Sequence, residues 1–248
     1  MSNYTLEAIA ASKVANFEKC LDEGHYLSQF SPVNLNSYNR KTILGTISHE
    51  IIAAFLLYEN FEIDKEYVSR LFFKIKEKNN YDFEEDYLDK REGLEFIYRN
   101  LTVLKKIKTF LDKNNFEVRS EHTYKITYPF YGQADIVLRD SRKSIVIDYK
   151  TGRIMDSENE ISSSIKKQLL AYAFLELSET NDDRDISAYV LNKKGDFLLI
   201  DEFDNKTVKS YSKRIDKFVT DMNKNLVIEK SGYFYCNKCE NHWSAKVS

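Results

Sequence analysis

The chain has only three cysteines, Cys20, Cys236 and Cys239, too few and too unevenly spread for a disulfide framework. No apolar run approaches the ~20 residues that a membrane-spanning helix needs. The opening MSNYTLEAIAASKVANFEKC lacks the basic-then-apolar order of a secretory leader. Together these absences set the expectation of a cytoplasmic protein with no membrane partner. Internal repeats and low-complexity linkers are also missing, so 248 residues read as one domain with room for a substantial insertion. Nor does charge of one sign dominate. A net charge of −2 excludes a protein that coats nucleic acid by bulk charge, but leaves a local basic groove open, because steering depends on how charge is distributed. Charged side chains (31%) and aromatics (14%) are plentiful, which excludes a disordered composition.

The first forty residues are loosely patterned. TILGTISHEIIAAFLLYEN (42–60) then carries apolar residues at helical spacing and predicts a largely buried helix. Charged helices dotted with Tyr and Phe fill the stretch to residue 116, and residues 61–118 read as a helical insertion. The period then changes. YKITYPF (124–130), GQADIVLRD (132–140) and KSIVIDYK (143–150) predict consecutive strands, the last two joined by a tight turn at Ser141-Arg142. A helix over 163–178 follows, then strands over 186–192 and 197–203 around Lys194-Gly195-Asp196, and a helix over 207–223. Strands followed by helix, strands and helix imply an α/β fold, a mixed sheet with helices packed on it. Residues 119–203 hold this sheet and its first helix, and 231–248 form a cysteine-containing tail.

One strand is chemically odd. SIVIDYKTG (144–152) places Asp148 and Lys150 on the same face of an otherwise buried strand, since strand side chains alternate, and an unpartnered buried charge is expensive. With a two-residue loop at Ser141-Arg142, Asp140 faces Lys143, and stepping outward pairs Asp135 with Asp148. Directly opposed residues have Cβ atoms about 4.5–5.5 Å apart, where like charges repel. A hard cation between the carboxylates would reverse that sign, and Lys150 beside it would stabilise growing negative charge or orient a water. Asp-x-Lys alone is cheap. Asp204-Asn205-Lys206 is another, but it lies where a strand gives way to a helix and has no upstream acid in register.

Two helices carry further candidates. Gln168 and Tyr172 are four apart and share a helix face. His49 sits in an apolar helix four residues after Gly45, a small residue that permits close approach of another backbone. Each alone is weak: a helical Tyr or His is more often core, a lone Gln more often surface.

In order along the chain stand Gly45-Thr-Ile-Ser-His49, Gly132-Gln-Ala-Asp135, Asp148-Tyr-Lys150-Thr-Gly152 and Gln168-Leu-Leu-Ala-Tyr172. This set resembles the RecB-type nucleases of the PD-(D/E)xK superfamily, in which a Gly-x-x-x-His helix, a Gly-x-x-Asp strand, an Asp/Glu-x-Lys strand and a Gln-x-x-x-Tyr helix follow one another. SQFSPVNLNSY (28–38) is similar to the segment that opens such domains, and Glu121 stands where an acid often precedes the Gly-x-x-Asp strand. The resemblance implies a restriction-endonuclease-like core and a Mg²⁺- or Mn²⁺-dependent DNA nuclease acting on single strands or ends, in recombination, repair or defence, with exonuclease favoured over endonuclease action. It implies His49, Asp135, Asp148 and the Tyr149 carbonyl as metal ligands and Lys150 as the group assisting the water. By the same resemblance Gln168 orients Lys150 or the water, and Tyr172 contacts substrate. A helicase, recombination or defence protein would be a partner that delivers DNA.

Some RecB-like relatives, including AddB-type and CRISPR-associated ones, hold an iron–sulfur cluster on one upstream and three C-terminal cysteines. This chain offers Cys236 and Cys239 at C-x-x-C spacing, with Cys20 upstream and His242 as a substitute. That set would bind zinc, bind a cluster, or be a remnant that binds nothing. The alternative to an enzyme is a catalytically silent nuclease fold that binds DNA or scaffolds a complex. Retention of Asp135, Asp148 and Lys150 argues against it.

Overall fold

The computed structural model describes residues 8–15, 18, 40–58, 64–78, 86–113, 115–180, 184–228, 234–236 and 242–243. A short strand β1 (Ile9–Ala10) runs into a turn of 3₁₀ helix, Ala11–Lys13. Three helices follow, α1 (Arg40–Leu57), α2 (Lys65–Lys78) and α3 (Arg91–Asp112). The sheet strands are β2 (Glu117–Thr127), β3 (Phe130–Arg139) and β4 (Lys143–Lys150), then β5 (Asp185–Asn192) and β6 (Phe197–Phe203) after helix α4 (Ser163–Thr180). Helix α5 (Asn205–Asn225) leads to a small three-stranded sheet of β7 (Leu226–Ile228), β8 (Phe234–Cys236) and β9 (His242–Trp243). No helix among the described residues is long and apolar enough to cross a membrane.

The main sheet runs β1-β3-β4-β5-β6, with β2 also paired to β3. It is mixed: β4 and β5 are parallel, whereas β2–β3, β3–β4 and β5–β6 are antiparallel. Alternation along the strands sends Val137, Val146, Ala188 and Val190 toward α4 and α5. It sends Ile136, Leu138, Ile145, Ile147 and Tyr149 toward α1, α2 and α3. Each helix earns its place by a stripe: Ile43, Ile47 and Ile51 on α1, Phe96, Ile97, Val103, Leu104 and Ile107 on α3, and Val208, Ile215, Phe218 and Val219 on α5. The second Asp-x-Lys triplet has a structural role, because Asp204 caps α5, accepting the Thr207 amide at 2.7 Å and its hydroxyl at 3.0 Å.

The hairpin that carries the acids turns as the sequence predicts. The Asp140 amide donates to the Lys143 carbonyl at 3.0 Å, and its carboxylate accepts the amides of Arg142 and Lys143, both at 2.7 Å. Upstream the boundaries differ. The run 124–130 is not one strand: it breaks at the turn Tyr128-Pro129, so Phe130 opens β3. Strand β2 starts seven residues earlier than expected, at Glu117, within the segment read as helical.

Helix α4 is pinned to the sheet by a buried fork. Arg139 Nε and Nη2 donate to Glu176 Oε1 and Oε2 at 2.6 and 2.7 Å. Ser144 Oγ and Tyr124 OH donate to the same carboxylate at 2.7 and 3.0 Å, and Arg139 also reaches Glu179 at 3.0 Å. Glu176 is fully buried and Arg139 nearly so. Burial and the Glu176 charge push the Tyr124 hydroxyl well above its ordinary range, so it stays a donor. Such a pair is stable only while both partners are present. Glu176→Leu, which leaves Arg139 Nε without a partner and only Glu179 to answer the guanidinium, is expected to lower stability by about 3 kcal/mol, and adding Arg139→Met to recover most of that loss. Urea unfolding of the single and double variants is the check; an equal loss in both would mean that the fork does not hold the helix.

Candidate active site

The interrupted ladder between β3 and β4 makes the site. Their register runs from Arg139–Ser144 to Ile136–Ile147, the phase that the two-residue turn dictates. At the next step the backbone pairing stops, and the Asp135 carboxylate enters the gap, where Oδ2 accepts the Tyr149 amide at 2.6 Å. Its other oxygen, Oδ1, lies 3.2 Å from His49 Nδ1 on α1. The His49 ring also meets the Tyr149 ring edge-on, with centroids 5.1 Å apart.

Glu121 on β2 completes a cluster. It lies between the Ser120–Ile136 and His122–Ala134 pairs, hence beside Asp135, and its backbone is left-handed, with φ +47°. Donor atoms of His49, Glu121 and Asp135 all lie within 4.8 Å of one another, a nitrogen and two carboxylates that could hold a metal ion. A mixed imidazole–carboxylate set suits Mn²⁺ and related ions, and its oxygens suit Mg²⁺. Sequence reasoning noticed Glu121 but did not count it a ligand, because its polar neighbours Ser120 and His122 gave no sign that it points at Asp135.

Asp148 and Lys150 occupy the adjoining wall. Lys150 Nζ is 2.8 Å from Asp148 Oδ2 and donates to Gln168 Oε1 at 3.2 Å. Gln168 Nε2 donates to Asp148 Oδ1 at 3.1 Å and to Tyr172 OH at 3.3 Å. Tyr172 OH in turn donates to the Gln133 carbonyl at 2.7 Å, and the Gln133 amide reaches Glu121. The ammonium on one side and the carboxylate on the other fix which way the Gln168 amide faces. All seven side chains, His49, Glu121, Asp135, Asp148, Lys150, Gln168 and Tyr172, line one cleft of about 570 Å³. Tyr149 lies behind it, its ring fully buried. The Cys20 and Cys239 positions, the side chains of Cys236 and His242, and the 28–38 segment lie outside the described residues.

Two glycines let these pieces meet. A Cβ on Gly132 would come within 3.0 Å of the Tyr172 ring and 3.2 Å of Ala11. A Cβ on Gly45 would come within 3.0 Å of Thr151 Oγ1, so what approaches Gly45 is not another backbone, as the sequence suggested, but a side chain of the loop after Lys150.

Crowded carboxylates in a desolvated cleft hold their protons. Burial, then the nearby Asp135 charge, pushes Glu121 up to about 7 against the pull of His49. Burial is also the largest influence on Asp148, raised to about 6, with Lys150 pulling it down and Asp135 pushing it up. For His49, burial lowers the pKa, but the hydrogen bond and charge of Asp135, with Asp148 and Glu121, outweigh it and raise the imidazole above 6.5. All three groups keep protons in the folded state that the unfolded chain has released. Their contribution to stability is therefore present at low pH and lost as pH rises, for the two acids between their ordinary values near 4 and about 7. A cation bound at the carboxylates competes with those protons. We expect Mn²⁺ to raise Tm by more near pH 8 than near pH 5.5, by several degrees at ~100 times its dissociation constant. Thermal melts with Mn²⁺ or EDTA at both pH values test this, and an equal rise in Asp135→Asn would speak against the donor set.

No curated protein sequence matches the chain. Among solved structures it is similar to a candidate exonuclease from Eubacterium rectale, with TM-score 0.42 and 10% identity over 98% of this chain and 91% of that one. It is also similar to the alkaline exonuclease LHK-Exo from Laribacter hongkongensis, with TM-score 0.31 and 10% identity over 70% and 85% of the two chains. The family match spans residues 8–244, from β1 past the last described strand, and on that span the chain belongs to the PD-(D/E)XK nuclease superfamily.

Proposed function

We propose that the chain is a RecB-like, divalent-metal-dependent deoxyribonuclease that hydrolyses phosphodiester bonds on single-stranded DNA or DNA ends, by exonuclease rather than endonuclease action. The observation that carries this reading is the single cleft in which the His49–Glu121–Asp135 donor set adjoins a lysine held in place by Asp148 and Gln168. Under this reading His49, Glu121 and Asp135 hold the metal, with Asp148 and the Tyr149 carbonyl as further ligands. When bound, the ion supplies a Lewis acid for the phosphoryl oxygen and a more acidic water.

The remaining roles belong to the chain's own groups. Lys150 sets a fixed positive charge where the phosphate oxygens gain negative charge, and its ammonium is held by the Asp148 ion pair and a hydrogen bond to Gln168 before substrate arrives. Gln168 orients that lysine. Tyr172 is a positioning residue, since its hydroxyl is committed to Gln133 and its ring supports Gly132. A helicase, recombination or defence protein would serve to deliver DNA to a chain whose net charge is −2. Any zinc or cluster at Cys20, Cys236, Cys239 and His242 would lie apart from these roles.

The test is cleavage of end-labelled single- and double-stranded DNA with Mn²⁺, Mg²⁺ or EDTA. Cutting is expected only with metal, and Lys150→Ala, compared at a temperature where its melt shows it folded, should lower kcat about 10²–10³-fold. Release of mononucleotides from one end would identify an exonuclease. Metal-independent cutting, or full activity in Lys150→Ala, would refute the mechanism.

A further inference from the structure

Beyond Lys150 the parallel strands β4 and β5 part, and the chain segments that leave them form a second, larger cleft. The last backbone pair is Lys150–Asn192. Past it, Thr151, Gly152 and Arg153 leave β4, Lys193 and Lys194 leave β5, and Arg99 of α3 closes the wall around about 980 Å³. Crevices at the carboxyl ends of parallel strands are habitual ligand sites, because neighbouring connections diverge there.

The charge of this cleft is one-sided. Arg99, Arg153, Lys193 and Lys194 face a single acid, Asp196. That acid is already answered by Lys106 at 2.6 Å and by the Asn192 amide at 3.1 Å, hydrogen bonds that hold its carboxyl below the usual range. Among the described residues Arg153 donates only to the neutral carbonyls of Met155 and Asp156, at 2.7 and 2.8 Å, so no described carboxylate cancels its charge. Arg99 lies over the Phe96 ring at 5.3 Å, and its buried Nε has no hydrogen-bond partner among the described residues. In a chain of net charge −2 this is a local concentration of positive potential.

The cleft is also continuous with the site. Gly45 and Thr151 line both it and an intermediate cleft of about 530 Å³, which shares His49, Glu121 and Gln133 with the metal-donor cleft. We infer that the Arg99–Arg153–Lys193–Lys194 cleft binds the phosphates of the nucleic-acid strand on one side of the bond to be cut, and so fixes on which side of Lys150 the uncleaved strand extends. This rests on the nuclease reading above. Repeating phosphates fit the cleft's chemistry better than a single small anion, because four cations line a cleft that adjoins the site through Gly45 and Thr151.

Two variants test it in the full chain. Lys193→Ala/Lys194→Ala removes two exposed charges from a turn. Gly152→Glu adds a negative charge where a Cβ meets nothing within 4 Å. In EDTA, binding to a fluorescent single-stranded oligodeoxythymidine roughly twenty nucleotides long should weaken about tenfold in each variant. For the double variant the slope of log affinity against log salt should be shallower by about 1.4. With Mn²⁺, KM for the same oligonucleotide should rise while kcat holds. Wild-type affinity, slope and KM in both variants would overturn the inference and leave the nuclease reading standing. Loss of binding in the variants, with no cleavage by wild type under any metal, would sink the nuclease reading and keep the cleft as a phosphate-binding site. No binding by wild type would overturn the cleft itself.

Discussion

The buried fork between Arg139 and Glu176 is the interaction on which the geometry of the site depends. A helix lying on a sheet can slide along its axis or turn about it at little apolar expense, because one aliphatic contact replaces another. A two-pronged ionic bond cannot slide, since any shift leaves a desolvated charge without a partner. Glu176 lies one turn beyond Tyr172 and two turns beyond Gln168, so the three share a face. When Glu176 is held by Arg139, Ser144 and Tyr124, Tyr172 falls against Gly132 and Gln168 reaches both Asp148 and Lys150. The positions of the groups near the metal donors are thus set some ten ångströms away, about two helical turns, by residues that contribute no chemistry.

Two absent side chains perform the complementary task of closeness. Gly132 belongs to the same short motif as Asp135 but is needed because Tyr172, from another motif, packs its ring there. Gly45 shares a motif with His49 but is needed by Thr151, which follows Lys150. The four sequence fragments are therefore joined in pairs, the His49 helix to the lysine strand and the Asp135 strand to the Gln168–Tyr172 helix. This is a physical reason for the fragments to occur as a set: each glycine accommodates a residue of another fragment.

Much of this was legible in the sequence, and the pattern of misses is informative. KSIVIDYK and ISAYVLN declare themselves by apolar runs, and the turn at Ser141-Arg142 follows from an Asp that accepts its own downstream amides. The register derived from that turn holds as far as Ile136–Ile147. EVRSEHT (117–123) did not read as strand, because Val118 is its single apolar residue: Arg119 and His122 pair with Glu179 of α4 rather than enter an apolar core. Glu121 as a donor, the Arg139–Glu176 fork and the basic cleft were invisible for the same cause. Each joins residues that are distant in sequence, and neither partner carries a local sign of the other. The cysteine set gained nothing from the fold, as its side chains lie outside the described residues.

The broken ladder explains why these acids can coexist at all. Had β3 and β4 continued their pairing, Asp135 would project from the sheet beside Asp148 and its charge would repel that neighbour directly. Instead one oxygen replaces the missing strand partner of the Tyr149 amide and the other turns to His49. The charge of Asp135 is thereby spread over an N–H dipole and an imidazole, whose pKa its field raises. Asp148 is balanced separately, by Lys150 and Gln168. Glu121 is left as the least compensated acid, and its pKa near 7 reflects that. A cation at the donor set would relieve this residual repulsion, with Asp148, as the proposed further ligand, shared between the ion and Lys150. Interrupting the sheet at one residue thus forgoes backbone hydrogen bonds and sets the His49–Glu121–Asp135 cluster beside the Lys150 ammonium, the juxtaposition on which the proposed function rests.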